Sequence, residues 1–309
     1  MVPSPPMDAI QLLNVTKTFG ETPAVDDVSL AVPEGAVYGF IGPNGSGKTT
    51  TMRMILNIIY PDRGSIRVFG EEPRGRASHI GYLPEERGLY RRMQVQPLLE
   101  FHGELRGGRN VTAEVNSWLA RLDLGHCAAQ RLDTLSKGMS QKVQFIASVI
   151  PQPKLLILDE PFTGLDPVSA DSIRAGILDL RHRGSTIILS THDMSVAETL
   201  CDHIFMIFKG KKVLDGTLET IQQQYGNDTI RVEAEGGAAV MNGLPNVEKV
   251  HDLGQVQELR MAMGCDPQQV LHALVARTRI GSFAVSKPSL HDIFIRIAGS
   301  DAVAEAHHV

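Results

Sequence analysis

Gly42-Pro43-Asn44-Gly45-Ser46-Gly47-Lys48-Thr49 interrupts a stretch that is otherwise apolar and regular. Ahead of it, Ala36 to Ile41 is a short run of branched and aromatic residues that reads as a buried strand. Behind it, Thr50 to Ile59 has the spacing of a helix. A strand, a Gly-rich turn and a helix in that order make a setting for phosphate. Glycines let successive backbone N–H groups turn inward, Lys48 adds a point charge at the β/γ end, and Thr49 offers a hydroxyl to Mg²⁺. The helix start contributes a partial positive charge. The whole segment Gly42 to Thr50 is therefore the candidate nucleotide-binding element.

Outward from this loop the first two thirds of the chain keep the same rhythm. Short branched runs alternate with longer helical patterns, which predicts an α/β domain with parallel strands. Lys154 to Leu158 and Thr186 to Leu189 are the clearest further strands, and the turns at strand ends are where such sheets place ligands. Leu155-Leu156-Ile157-Leu158 runs directly into Asp159-Glu160. Two carboxylates at that point suit a second Mg²⁺-binding element: Asp159 holds the metal through its water shell, and Glu160 polarises the attacking water as general base.

The chain has 309 residues, a net charge of -5 and ordinary globular usage, with 42% hydrophobic and 21% charged residues. That composition excludes disorder and fibrous structure. The longest apolar runs, such as Ile204 to Phe208, fall far short of the roughly 20 residues needed to span a bilayer. MVPSPPMDAI has neither the basic start nor the apolar core of a secretory signal, so a cytoplasmic location is expected. Cys127, Cys201 and Cys265 are odd in number and widely spaced, which argues against disulfides and metal pairing. The negative balance gives no general attraction to nucleic acid. Arg87-Gly88-Leu89-Tyr90-Arg91-Arg92 is read as a solvated face rather than a nucleic-acid patch.

Leu135-Ser136-Lys137-Gly138-Met139-Ser140-Gln141-Lys142 gives these motifs a more specific setting, with Ser136 standing 23 residues before Asp159. Met139, Val143, Ile146, Ala147 and Ile150 form one apolar helical face, so Ser136 lies near a helix start. The segment resembles the signature sequence of the ATP-binding cassette family, with Lys137-Gly138 where the family usually has a glycine pair. By the same resemblance, Thr163-Gly164-Leu165-Asp166 looks like the dimer-contact loop. His192, which follows Ser190-Thr191 and lies 33 residues beyond Asp159, looks like the switch histidine at the γ-phosphate. Phe19 matches the aromatic position that stacks on adenine. Glu85, after Ile80-Gly81-Tyr82-Leu83-Pro84, stands where the family usually has glutamine. A carboxylate there can engage Mg²⁺ or its water while adding negative charge toward the phosphates.

The resemblance covers about residues 8 to 222 and implies a P-loop cassette with a mixed sheet core and a helical signature subdomain. It implies ATP and Mg²⁺ as ligands and a head-to-tail homodimer. In that dimer the phosphate loop of one subunit and Ser136, Lys137 and Gly138 of the other enclose each ATP. It further implies separate permeases of the ABC-2 type, outward transport, and a place on the inner face of the cell membrane. In the family, the stretch between the glutamine-position loop and the signature receives the permease's coupling helix, a contact the arginines would serve. Cassettes that act on ribosomes or DNA are the alternative. They carry two cassettes in one chain, or a cassette split by coiled coil, and neither feature is seen in this sequence.

The cassette is expected over residues 8–225. After a helical stretch near Leu218 to Tyr225, Gly226-Asn227-Asp228 reads as a linker. A small α/β unit of about 70 residues is expected over 228–299. Ile230, Val232 and Ala234 alternate as in a strand, while Val270, Leu271, Leu274 and Val275, and then Leu290, Ile293, Phe294 and Ile297, have helical spacing. The unit resembles a short C-terminal domain found on some exporter-type cassettes, ending in Lys287-Pro288-Ser289-Leu290-His291-Asp292-Ile293-Phe294. The tail beyond Gly299 is read as frayed.

Overall fold

The computed structural model describes residues 8–73, 80–86, 88–108, 110–225, 229–262 and 264–299. The leading MVPSPPM, Arg87 of the arginine block, the expected linker Gly226-Asn227-Asp228 and the tail from residue 300 lie outside the described residues. The chain separates into two compact units that meet between Gly216 and Thr217.

The first unit runs β1 (Asp8–Phe19), β2 (Thr22–Pro33), β3 (Val37–Ile41), α1 (Lys48–Ile55), β4 (Arg63–Val68), β5 (Ile80–Leu83), α2 (Val95–Leu105) and α3 (Val111–Arg121). It continues with α4 (Lys137–Val149), β6 (Leu155–Asp159), α5 (Pro167–His182), β7 (Thr186–Thr191), α6 (Met194–Leu200), β8 (His203–Phe208) and β9 (Lys211–Gly216). Six strands form a sheet in the order β5-β6-β7-β3-β8-β9, parallel from β5 to β8 with β9 antiparallel at the edge. The mixed sheet expected from the sequence is thus present. A separate antiparallel sheet has the order β2-β1-β4.

Fully buried strands explain why the parallel sheet reads as unbroken apolar runs rather than as alternation. Leu156, Leu158, Ile187 and Leu189 point into one core with residues of α2 to α5. Their neighbours Leu155, Ile157 and Ile188 enter a second core with α1 and the antiparallel sheet. Helix α4 is the centre of the first core. Its Phe145 meets Trp118 of α3 edge to face, with ring centroids 5.8 Å apart. Gly176 of α5 leaves room for that pair, since a methyl there would stand 3.0 Å from Phe145.

Two local expectations change. The helix after the phosphate loop ends at Ile55 rather than Ile59, because Asn57 adopts a left-handed backbone with φ of 57° and breaks the turn. Helix α4 buries more than the expected face: Gln141, Lys142, Gln144 and Ser148 are buried as well. Their side chains bond to the carbonyls of Pro161, Leu122, Glu86 and Phe145 respectively, which satisfies the buried polar atoms involved.

The second unit comprises α7 (Leu218–Tyr225), β10 (Thr229–Ala234), β11 (Val247–Asp252), β12 (Gln257–Met261), α8 (Pro267–Val275), β13 (Ile280–Ser286) and α9 (Leu290–Ala298). Its antiparallel sheet has the order β11-β12-β10-β13, over a core that includes Ile230, Val232, Leu259, Val270 and Leu274. Ser289 and Asp292 cap the start of α9 reciprocally. Helix α7 groups with this unit rather than with the cassette. Gln222 donates to the Pro288 carbonyl at 3.0 Å, and Arg296 to that of Tyr225 at 3.1 Å.

Candidate functional site

Strand order decides which side chains meet. β6, β7 and β3 are neighbours running in the same direction, with Asp159 beside Ser190 and Ile41 beside Thr191. The loops beyond their carboxyl ends therefore open on one edge of the sheet, the usual ligand edge in parallel α/β structure. An open cleft of about 360 Å³ lies there, lined by Asn44, Gly45, Gly47, Lys48, Thr49, Thr50, Glu85, Asp159 and Glu160, with Ala24 from β2.

The phosphate loop needs its glycines for space and for backbone conformation. Gly42, Gly45 and Gly47 have φ of 153°, 76° and 113°. A Cβ at Gly47 would press on Ile207 at 3.0 Å, and one at Gly42 would reach the Ser46 hydroxyl at 2.8 Å. Inside the turn, the buried Lys48 ammonium donates to the carbonyls of Gly42 at 2.6 Å and Pro43 at 3.0 Å. Burial lowers its pKa, and the carboxylates of Glu160, Asp159 and Glu85 oppose that shift. Ser46 is buried, and its Oγ makes no hydrogen bond among the described residues.

The acidic pair sits opposite. Thr49 donates its hydroxyl to Asp159 Oδ2 at 3.1 Å, which ties α1 to the end of β6. Burial, above all, pushes the Asp159 carboxyl above the ordinary carboxylate range. Its Oδ1 is buried without a hydrogen-bond partner among the described residues. Glu160 is only 8% exposed and has a left-handed φ of 50°, an uncommon conformation for a residue with a side chain. Each of its carboxylate oxygens has a partner: His192 Nδ1 at 2.9 Å from Oε1, and the Thr163 hydroxyl at 3.2 Å from Oε2.

Among the described residues, no group of three or more His, Cys, Asp or Glu side chains is placed to hold a metal on its own. The donors that do converge are the Thr49 hydroxyl, the unsatisfied Asp159 oxygen and the exposed Glu85 carboxylate. That sparse, all-oxygen set fits Mg²⁺, which keeps several waters and leans on substrate phosphates.

Several expected site residues stand apart from the cleft. Ser136 is the N-cap of α4, and its hydroxyl accepts from the Met139 N–H at 3.2 Å. Ser136 and Lys137 are exposed and Gly138 half-buried, and none of them lines the cleft. Phe19, at the end of β1, is 55% exposed, with the Lys17 ammonium 5.6 Å from its ring. His192 reaches the site only through Glu160. Other supporting residues escaped sequence reasoning. Gln144 of α4 donates to the carbonyls of Pro84 at 3.5 Å and Glu86 at 3.1 Å, so it holds the backbone on both sides of Glu85. Its burial amid polar neighbours left no periodic signal. Thr163, named in the dimer-contact loop, is the partner of Glu160 as well.

The chain is similar to known proteins along most of its length. A family model described as ABC transporter matches residues 25–163. A second, described as the C-terminal domain of ATP-binding protein DrrA1-3-like proteins, matches residues 216–298. The ABC transporter ATP-binding protein YhaQ of Bacillus subtilis is 37% identical over 290 residues, covering 93% of this chain and 97% of its own. Nod factor export ATP-binding protein I of Sinorhizobium fredii is 33% identical over 301 residues, covering 95% of this chain and 87% of its own. Among solved structures, an ATP-binding subunit of an ABC transporter superposes with a TM-score of 0.67 at 28% identity, covering 71% of this chain and 93% of that one.

Proposed function

The chain belongs to the ATP-binding cassette transporter ATPases, and from that premise we propose that it energises an ABC-2 type exporter as an ATP-closed homodimer beneath separate permease subunits. One observation carries the catalytic part. Adjacent parallel strands bring Lys48, Thr49, Asp159 and Glu160 to a single cleft, with His192 bonded to Glu160. Lys48 and the backbone of Gly42 to Thr50 bind the phosphates. Glu160 orients and deprotonates the attacking water. His192 positions Glu160 and approaches the γ-phosphate, where it stabilises charge that develops in the transition state. Thr49, Asp159 and Glu85 would hold Mg²⁺, which neutralises charge on the β and γ oxygens when bound. Phe19 supplies a face for adenine.

The dimer part rests on the separation of the signature from the cleft. Ser136, Lys137 and Gly138 are accessible at a helix start yet do not line their own subunit's cleft. A second copy placed head to tail supplies the Ser136 hydroxyl and the backbone N–H groups that follow it to the nucleotide. Among the described residues, no helix is long and apolar enough to cross a membrane; this reading assigns the membrane path to separate permease subunits. The place proposed for this subunit is the cytoplasmic face, docked on the permease. Outward transport is supported by relatives named for export.

Glu160→Gln tests the reading directly. The variant retains ATP binding and loses hydrolysis by roughly 10² to 10⁴-fold, the usual size of a general-base contribution. With ATP it elutes as a dimer in size-exclusion chromatography with light scattering. A monomer at saturating ATP would sink the shared-site model.

A further inference from the structure

Lys137 occupies the first turn of α4 and is exposed to solvent, yet its side chain also has a neighbour in its own subunit. It lies across Gly164, in the segment between β6 and α5. A Cβ built at Gly164 would stand 2.7 Å from Lys137 Cε and 3.5 Å from Cδ, and would collide with Nζ. The stem thus fills the space that any side chain at Gly164 would need. Gly164 has φ of 71°, a conformation glycine adopts without strain and can also leave easily. Among the described residues the Lys137 ammonium makes no hydrogen bond or ion pair, so Nζ and the stem carbons Cε and Cδ meet Gly164 by packing.

The same segment is gripped on both sides of that contact. Gln141, one turn further along α4, donates to the Pro161 carbonyl at 3.4 Å. Next to the lysine, Gly138 packs so closely on the start of α5 that a Cβ there would be 3.2 Å from Ser169 Oγ and 3.5 Å from Asp166 Oδ2. Upstream of Gly164, Thr163 donates its hydroxyl to Glu160 Oε2 and its N–H to the Glu160 carbonyl at 3.3 Å. A continuous run of contacts within one subunit therefore leads from Lys137 through Gly164 and Thr163 to the carboxylate of Glu160.

We propose that Lys137 is a positioning residue that links the two nucleotide sites of the dimer: its stem holds Gly164, so that closure of Ser136 and Gly138 on the partner's nucleotide fixes Glu160 in the lysine's own subunit. The inference rests on the shared-site reading above. Without the stem, the glycine at the turn regains its freedom, and the hydrogen bond that orients Glu160 is no longer tied to the state of α4.

The test is steady-state ATP hydrolysis by the full chain as a function of ATP, comparing the unsubstituted protein with Lys137→Ala and Lys137→Met. Thermal unfolding confirms that each variant is folded. Lys137→Ala lowers kcat by about five-fold or more, in the range of ordinary site-to-site coupling, and brings the Hill coefficient down to about one. Half-saturating ATP changes little. Lys137→Met, which keeps an unbranched stem without the charge, recovers more than half of the kcat and of the Hill coefficient lost in Lys137→Ala. Unchanged kcat and Hill coefficient in Lys137→Ala overturn the inference. So does a Lys137→Met variant as impaired as Lys137→Ala with raised half-saturating ATP, since the ammonium would then act on the nucleotide itself. Glu160→Gln separates the two levels. If it stays monomeric with ATP, the shared-site reading falls and takes this inference with it. If it dimerises while Lys137→Ala hydrolyses ATP like the unsubstituted protein, only the role of the lysine falls.

Discussion

Lys48, Asp159 and Glu160 are 5%, 1% and 8% exposed, whereas Ser136, Lys137 and Phe19, expected around the same ligand, are open to solvent. The first group is cross-linked before any nucleotide arrives: lysine to loop carbonyls, threonine to aspartate, glutamate to histidine and threonine. The second group bonds only within its own segments. Burying charges is costly unless they are paired, so a chain fixes them only where fixed geometry lowers a barrier. Groups that a second molecule must reach are left wet. On the proposed head-to-tail dimer, the contrast separates the half-site a single chain would complete from the half-site it would lend.

Breaking the buried half has the larger effect on binding. Lys48→Ala removes the ammonium from the phosphate loop and leaves the acidic pair with less opposing charge. ATP affinity falls by about ten- to a hundred-fold, the equivalent of a lost charge-assisted contact of about 1.5–3 kcal/mol. Titration with a fluorescent ATP analogue measures this, and an unchanged affinity would contradict the role given to Lys48. Breaking the lent half acts elsewhere. Ser136→Ala leaves affinity for ATP in the single subunit unchanged and lowers kcat by about ten-fold, as loss of one donor or acceptor at the closed site predicts. It also removes the N-cap of α4, which costs about 1 kcal/mol and shows as a lower Tm. Equal losses in affinity and turnover would erase the distinction between the two halves.

The same contrast explains what the sequence could reveal. Lys48, Thr49, Asp159 and Glu160 were legible because local motifs at strand ends dictate their placement, and the apolar runs of β3, β6 and β7 are unbroken. The antiparallel sheet was harder to read. In β1, Leu12 is buried, Leu13 is 54% exposed, and Asn14 takes a left-handed φ of 49° before Val15 returns to the core. Register shifts of that kind break the two-residue alternation that marks a strand. Gln144 and Lys137 were opaque for a different reason. Their partners lie 58 residues away at Glu86 and across a turn at Gly164, and nothing in local periodicity encodes either contact. The helix predicted through Ile59 stops at Ile55 because Asn57 turns the chain, a choice asparagine tolerates but does not announce.

Glu85 is the smallest and most discriminating probe, because it belongs to the cleft yet is exposed. It lines the same space as Thr49 and Asp159, on a loop whose flanking carbonyls are held by Gln144. Its charge opposes phosphates but favours a cation, so its removal should act on the two ligands with opposite sign. In a solvated cleft an interaction between unit charges is worth about 1 kcal/mol or less, which limits either effect to about five-fold. Glu85→Gln is expected to raise the Mg²⁺ concentration needed for half-maximal hydrolysis by two- to five-fold on that scale, while metal-free ATP binds equally well or slightly better. Paired titrations, Mg²⁺ at fixed ATP and ATP in excess chelator, measure the two effects separately. Unchanged Mg²⁺ dependence would remove Glu85 from the metal site, leaving it only a place on the loop that α4 holds.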